Sequence, residues 1–183
     1  MQNTLALYAS KKLLPFLGKP FEKELKEVDP KELNPLFCWY GDVYYLKKVK
    51  YLIICNEVSR FSWILGPYSV SSKVNFMDLF QTELQKALEK IIPDSDHYFG
   101  HIAGLGKITQ SHLGAVATIN RLKIELDYLK TSYPHFEDRE FLLPDDFWRS
   151  ADSYTSRGTE KGYFKPNERF RDLWKVFGKK NME

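Results

Sequence analysis

The stretch LFCWYGDVYYLKKVKYLIICNEVSRFSWILG, residues 36–66, decides the fold. Its segments 36–46 and 49–55 are dense in Val, Ile, Tyr, Phe and Trp, which suit a pleated surface. Lys47 and Lys48 between them predict a hairpin turn, although the favoured Asn-Gly is missing. NEVSR at 56–60 predicts a second turn, and FSWIL at 61–65 a third strand ending at Gly66-Pro67. Apolar residues occupy both faces of the first two strands in places, so helices are expected to cover this sheet.

Two long helices supply the cover. In residues 74–92, Met77, Phe80, Leu84, Ala87, Leu88 and Ile91 recur at steps of three and four, one buried stripe. Asn75 is the expected cap and Pro93 the stop. A second helix is expected over about 111–129. Ala115, Ile119, Leu122, Leu126 and Leu129 make one face, and Leu113, Ala117 and Ile124 a second patch. A helix apolar on two sides is expected to lie between two layers.

Shorter elements flank these. Ser10 is expected to cap a short helix over KKLLPFLG that ends at Gly18, with FEKELKEV adding a turn or two. Residues 94–106 read as a linker. FKPNERFRDLWKVFGKK predicts a closing helix, with Pro166 at its first position and Gly178 at its stop. Phe170, Leu173, Trp174 and Phe177 line one side of it. The expected architecture is therefore α+β: a small antiparallel sheet at about 36–66 covered by helices at about 74–92 and 111–129. Residues 1–133 form the expected core domain. Residues 134–183 form a basic, aromatic extension packed on it.

Composition bounds the function. The 183 residues are 43% hydrophobic and 15% aromatic, enough for a real core and unlike a disordered chain. No apolar run is long enough to cross a bilayer, and the N-terminal stretch lacks the pattern of a secretory leader. Cys38 and Cys55 fall on the two strands of one hairpin and read as small buried hydrophobes of a reducing cytosol. The net charge is +3, and from Arg149 onward nine Lys/Arg face five Asp/Glu. The basic character thus lies in the tail and points to an acidic partner.

GHIAGLGKITQSH, residues 100–112, resembles a phosphate loop but does not make one. A Walker loop needs Gly, four residues, then Gly-Lys-Ser/Thr. Here Ile108 follows Gly106-Lys107, and His101 stands where the first Gly belongs. Gly-x-Gly-x-x-Gly fails as well, because Thr109 occupies the third slot. Gly104 and Gly106 are expected to let the chain turn, and Thr109 or Ser111 to cap the next helix. Lys107 beside that helix start, with Thr109 and Ser111, forms a candidate anion site. Asn56 and Arg60 in the turn between two strands are further candidates for binding, with turn formation the simpler role of Asn56.

No catalytic set emerges. His97 and His101 are four apart, which on a helix would make half a metal site, but Pro93 and Gly100 bracket them as a loop. Ser111 and His112 are adjacent and diverge on a helix. There is no Gly-x-Ser-x-Gly elbow. No cofactor and no metal are expected. In the tail, Arg157, Lys161, Lys165, Arg169, Arg171 and Lys175 alternate with aromatic residues, a pattern suited to nucleic acid. The simpler reading makes them the solvated side of a docking helix.

Ser10-Lys11-Lys12-Leu13-Leu14, Asn56-Glu57, Phe61-Ser62-Trp63 and Ser111-His112-Leu113-Gly114 occur in that order. Together they resemble a family of small bacterial domains known only as a domain of unknown function. The resemblance spans about residues 8–130. The chain departs from it by reaching Asn only at Asn120 rather than soon after Leu113-Gly114. The resemblance implies a bacterial, intracellular protein and brings no catalytic residues. The expected function is a cytoplasmic, non-enzymatic binding or protein-interaction domain, self-association included. Nucleic-acid binding through the tail is the alternative, and a small anionic ligand near 104–112 a further one.

Overall fold

The computed structural model describes residues 3–23, 25–46, 48–68, 76–132, 156–157 and 163–180. Its centre is a six-stranded mixed sheet, in the order β2-β6-β1-β3-β4-β5. The strands are β1 (Asn3–Ala9), β2 (Lys26–Val28), β3 (Cys38–Leu46), β4 (Val49–Asn56), β5 (Ser62–Tyr68) and β6 (Ile102–Ile108). The hairpin and third strand run antiparallel, as their sequence implies, with Val43 opposite Leu52 and Ile54 opposite Trp63. They are only half of the sheet. β1 lies parallel to β3 on one side and to β6 on the other, and β2 lies parallel to β6. The expected all-antiparallel sheet is therefore corrected to a larger mixed one.

The added strands have a common physical signature. Leu5, Ala6 and Leu7 of β1 are each fully buried, so this interior strand has no solvent face to mark it by alternation. Gly104 and Gly106 lie inside β6 rather than in a turn. A Cβ at Gly106 would stand 2.9 Å from Thr4 Cγ2 and 3.0 Å from both Val28 methyls, so glycine lets the three strands close up.

Alternation sorts the sheet side chains into two cores. Leu5, Leu7, Trp39, Ile54 and Trp63 face one way. They meet α1 (Leu14–Lys23, broken at Gly18 with φ 82°), α2 (Phe76–Glu89), α3 (Ser95–Gly100) and α5 (Pro166–Lys180). Ala6, Tyr40, Tyr44, Ile53 and Ile64 face the other way and meet α4 (Leu113–Ser132) through Ala115, Ile119, Leu122 and Leu126.

The helices depart from expectation in three places, and one expected cap is not described. α2 buries Phe76, Phe80, Leu84, Ala87 and Leu88, while its expected cap, Asn75, lies outside the described residues. The expected linker holds α3, capped where Asp94 Oδ1 accepts from His97 N at 3.0 Å, and then β6. α5 continues through Gly178 to Lys180. The second apolar patch of α4 is not covered: Leu113 is 85% and Ile124 70% exposed. Among the described residues α4 therefore closes one face of the sheet with no layer outside it. In α5, Phe170 and Trp174 are buried in the first core, and Arg171 Nε donates to the Ile91 carbonyl at 2.9 Å. No described helix is long and apolar enough to cross a membrane.

The β4–β5 turn is built on one side chain. Asn56 is fully buried, and its amide donates to the carbonyls of Pro35, Leu36 and Cys38 at 3.1–3.3 Å. Its Oδ1 accepts from Val58 N, Ser59 N and Ser59 Oγ at 2.9–3.3 Å. Two amide protons are thus shared among three carbonyls. Replacing Asn56 by Ala strands buried groups on both segments. Urea unfolding of Asn56→Ala is expected to show a loss of about 3–5 kcal/mol, and a loss below about 1 kcal/mol would contradict this role.

Candidate functional site

Two neighbouring parallel strands send the chain to opposite faces of the sheet. β1 leads into α1 on the first face, and β6 leads into α4 on the second. A crevice beyond the carboxyl ends of such strands is where open parallel sheets bind ligands. This chain has a cleft of about 190 Å³ there. Tyr8, Ser10, Tyr40 and Asp42 line it from the sheet, and Ser111 and Asn120 from the α4 side. Leu113, Val116 and Ile119 supply its apolar wall. The volume suits a single side chain or a small ring rather than a nucleotide.

One polar cluster stands at its floor. Ser10 Oγ donates to Asp42 Oδ1 and accepts from Leu13 N at 3.2 Å, so the hydroxyl also starts α1. Lys123 of α4 reaches Asp42 Oδ2, and Val43 N donates to Oδ1 at 2.8 Å. Burial alone would raise the Asp42 carboxyl. The hydrogen bonds from Lys123 and Ser10, the Lys123 charge and the Val43 amide outweigh it and hold the group below its ordinary range.

A second cluster flanks the start of α4. Tyr40 Oη donates to Glu57 Oε2 at 2.9 Å, and the Arg60 guanidinium donates to the Glu57 carbonyl. Burial first, and then Glu57, pushes the Tyr40 phenol up, so it stays protonated. His112, not Thr109 or Ser111, caps α4: Ala115 N donates to His112 Nδ1 at 3.2 Å. Arg60 Nη1 lies 3.3 Å from the same nitrogen. Burial and then the Arg60 charge push the His112 imidazole down, which favours the neutral ring whose Nδ1 accepts in the cap. Gly114 makes the arrangement possible, because a Cβ there would run into the Arg60 guanidinium.

The other sequence candidates scatter. Lys107 sits in β6 and pairs with Glu27 of β2 at 3.6 Å, away from the cleft lining. Thr109 is exposed beyond the strand. Ser111 lines the cleft, whereas Asn56 spends its amide on backbone and Arg60 lies against the first turn of α4. In the tail, Lys161 and the Arg157 side chain lie outside the described residues. Lys165 pairs with Glu168 at 3.8 Å and Lys175 with Asp172 at 3.7 Å. Arg169 lies 5.8 Å over the Phe164 ring, and helical geometry turns it away from Arg171 and Lys175. The cysteines are free and buried, and burial pushes Cys38 up to about 12 and Cys55 up to about 11, so both thiols are inert.

Sequence reasoning passed over Asp42, Lys123 and Tyr40. Two of these carried a signal. Asp42 is a lone carboxylate inside an apolar strand, and Lys123 falls on the same helical face as Ile119 and Leu126.

A family model covers residues 6–169. The chain belongs to the family described as a domain of unknown function, DUF6933. No curated protein and no solved structure matches it. The DUF6933 match extends beyond the 8–130 span of the resemblance, through the short strands β7 (Ser156–Arg157) and β8 (Tyr163–Phe164) into the start of α5. In this DUF6933 chain, Ser10 lines the cleft with Ser111 and Leu113, and the 56–60 turn meets the 111–114 helix start through Arg60.

Asp42 gives the cluster a pH signature. A carboxylate held low in the folded state adds stability above its unfolded value of about 3.9, and that stability is lost as pH falls through the folded value. Asp42→Asn is therefore expected to be less stable than the wild type near neutrality, with the gap closing as the pH drops below about 4. Urea unfolding across pH checks it, and a gap that stays constant with pH would exclude Asp42 as the source.

Proposed function

We propose that this domain is a protein-interaction module that docks a partner chain on the outer face of α4, with the cleft receiving one partner side chain. The observation that carries this reading is an apolar stripe that none of the described residues covers. Leu113, Ala117, Asn120, Ile124 and Tyr128 follow one another at steps of three and four and so share one face. Leu113, Ile124 and Tyr128 are 85%, 70% and 64% exposed. A contiguous apolar face with an aromatic member is the usual composition of a binding surface. Leu113 and Asn120 also line the cleft, so stripe and cleft form one continuous surface. A pocket of side-chain size beside an apolar helix suits an anchor residue.

The tail cations give less support to nucleic acid. Of those described, Lys165 and Lys175 already have acidic partners, and Arg171 binds a backbone carbonyl.

A photo-crosslinking residue placed at Ile124 in the full chain, in its native cells, tests the docking face. Discrete adducts are expected, lost when Leu113→Asp and Tyr128→Asp are added. An adduct of twice the chain mass identifies a second copy as the partner, and another mass a different protein. Adducts no more abundant than from the same crosslinker at the exposed Lys86 of α2 would overturn the proposal.

A further inference from the structure

Away from the cleft, on the opposite face of the sheet, two imidazoles converge. His97 lies within α3 and His101 is the residue that ends it, with φ −87° and ψ −4°. Their Nε2 atoms are 3.1 Å apart. Two imidazole nitrogens, each about 2.0–2.1 Å from a zinc ion, lie about 2.9 Å apart at a right angle and about 3.3 Å apart at the tetrahedral angle. The observed separation falls between these limits. We propose that His97 and His101 are a two-histidine site for a divalent transition-metal ion of the copper, nickel and zinc class.

The pair is held in place before any ion arrives. Trp174 of α5 packs on both imidazoles, with ring centres 5.6 Å from His97 and 5.9 Å from His101. Phe177 meets the His101 ring at 5.1 Å. The backbone is pinned as well: Asp94 Oδ1 holds His97 N at 3.0 Å, and the His101 carbonyl accepts from Asn3 N at 2.7 Å. Aromatic walls stand on one side, His97 is exposed on the other, and the two Nε2 atoms already face each other at hydrogen-bond distance, a contact that a bridging ion would replace. Pre-set ligands bind with less ordering cost than mobile ones. Among the described residues no group of three or more His, Cys, Asp or Glu is suited to a metal, so of those residues the two imidazoles are the ligands. An open two-imidazole site takes Cu²⁺ more tightly than Ni²⁺ or Zn²⁺.

Trp174 makes the site readable. Titration of the full chain with Cu²⁺ is expected to quench tryptophan fluorescence saturably, with one ion per chain by calorimetry. His97→Ala and His101→Ala are each expected to weaken binding at least tenfold, while Trp174→Phe removes most of the quenching and leaves the calorimetric binding. Ni²⁺ is expected to raise the melting temperature of the wild type and not of His97→Ala, because an ion that binds only the folded state stabilises it. His97→Gln serves in place of His97→Ala if the latter has an altered metal-free melting temperature. Binding that persists unchanged in both single-histidine variants, or no saturable binding up to millimolar Cu²⁺, would overturn the site.

Discussion

The carboxamide of Asn56 joins the corner at residues 35–38 to the turn that closes β4 onto β5. Both segments are largely or partly buried and carry backbone groups that the Asn56 side chain reaches, so it stands in for secondary structure there. Because the turn is fixed, Arg60 is fixed with it, at a φ of 62° that few residues other than glycine adopt. Its guanidinium then covers Gly114 and faces His112, which sets where α4 begins. One buried amide thus fixes, through one strained residue, the position of the helix that walls the cleft.

The second constraint is the insertion of β1 between β3 and β6. A parallel strand in the middle of a sheet is buried on both faces, and its neighbours must be linked by crossovers. Those crossovers leave the two faces unequally covered. Four helices pack on one face, and α4 alone covers the other within the described residues. The lightly covered face carries the polar clusters, the cleft and the exposed stripe. The heavily covered face carries the aromatic core and, at its rim, the His97–His101 pair against Trp174.

Much of the local structure was legible in the residues. The hairpin and third strand follow from β-branched and aromatic runs, α2 from its single stripe, and the docking side of α5 from Phe170, Leu173, Trp174 and Phe177. β1 and β6 were not legible. Leu5, Ala6 and Leu7 show no alternation because neither face is wet, and the glycines of β6 look like loop residues until Thr4 and Val28 are seen crowding Gly106. Reading 94–106 as a linker had the same cause, and it hid the short helix that brings His97 and His101 together. Of the candidate site residues, Ser111 reached the cleft, while Lys107 went to an ion pair with Glu27.

The sequence by itself determined which segments are strands and helices wherever the pattern is local. It determined the apolar face of each amphipathic helix, and that α4 has two such faces. Only the tertiary structure decided which α4 face is covered, because periodicity reports where apolar residues point and not what lies opposite them. It alone brought Ser10, Asp42 and Lys123 together at the cleft, and Arg60 against His112 at the start of α4. Those residues come from four separate stretches of chain, and parallel pairing joins strands whose partners are nearly a hundred residues away, as Asn3 is from Ile102. No local propensity encodes such a contact, since its free energy appears only when the whole sheet closes.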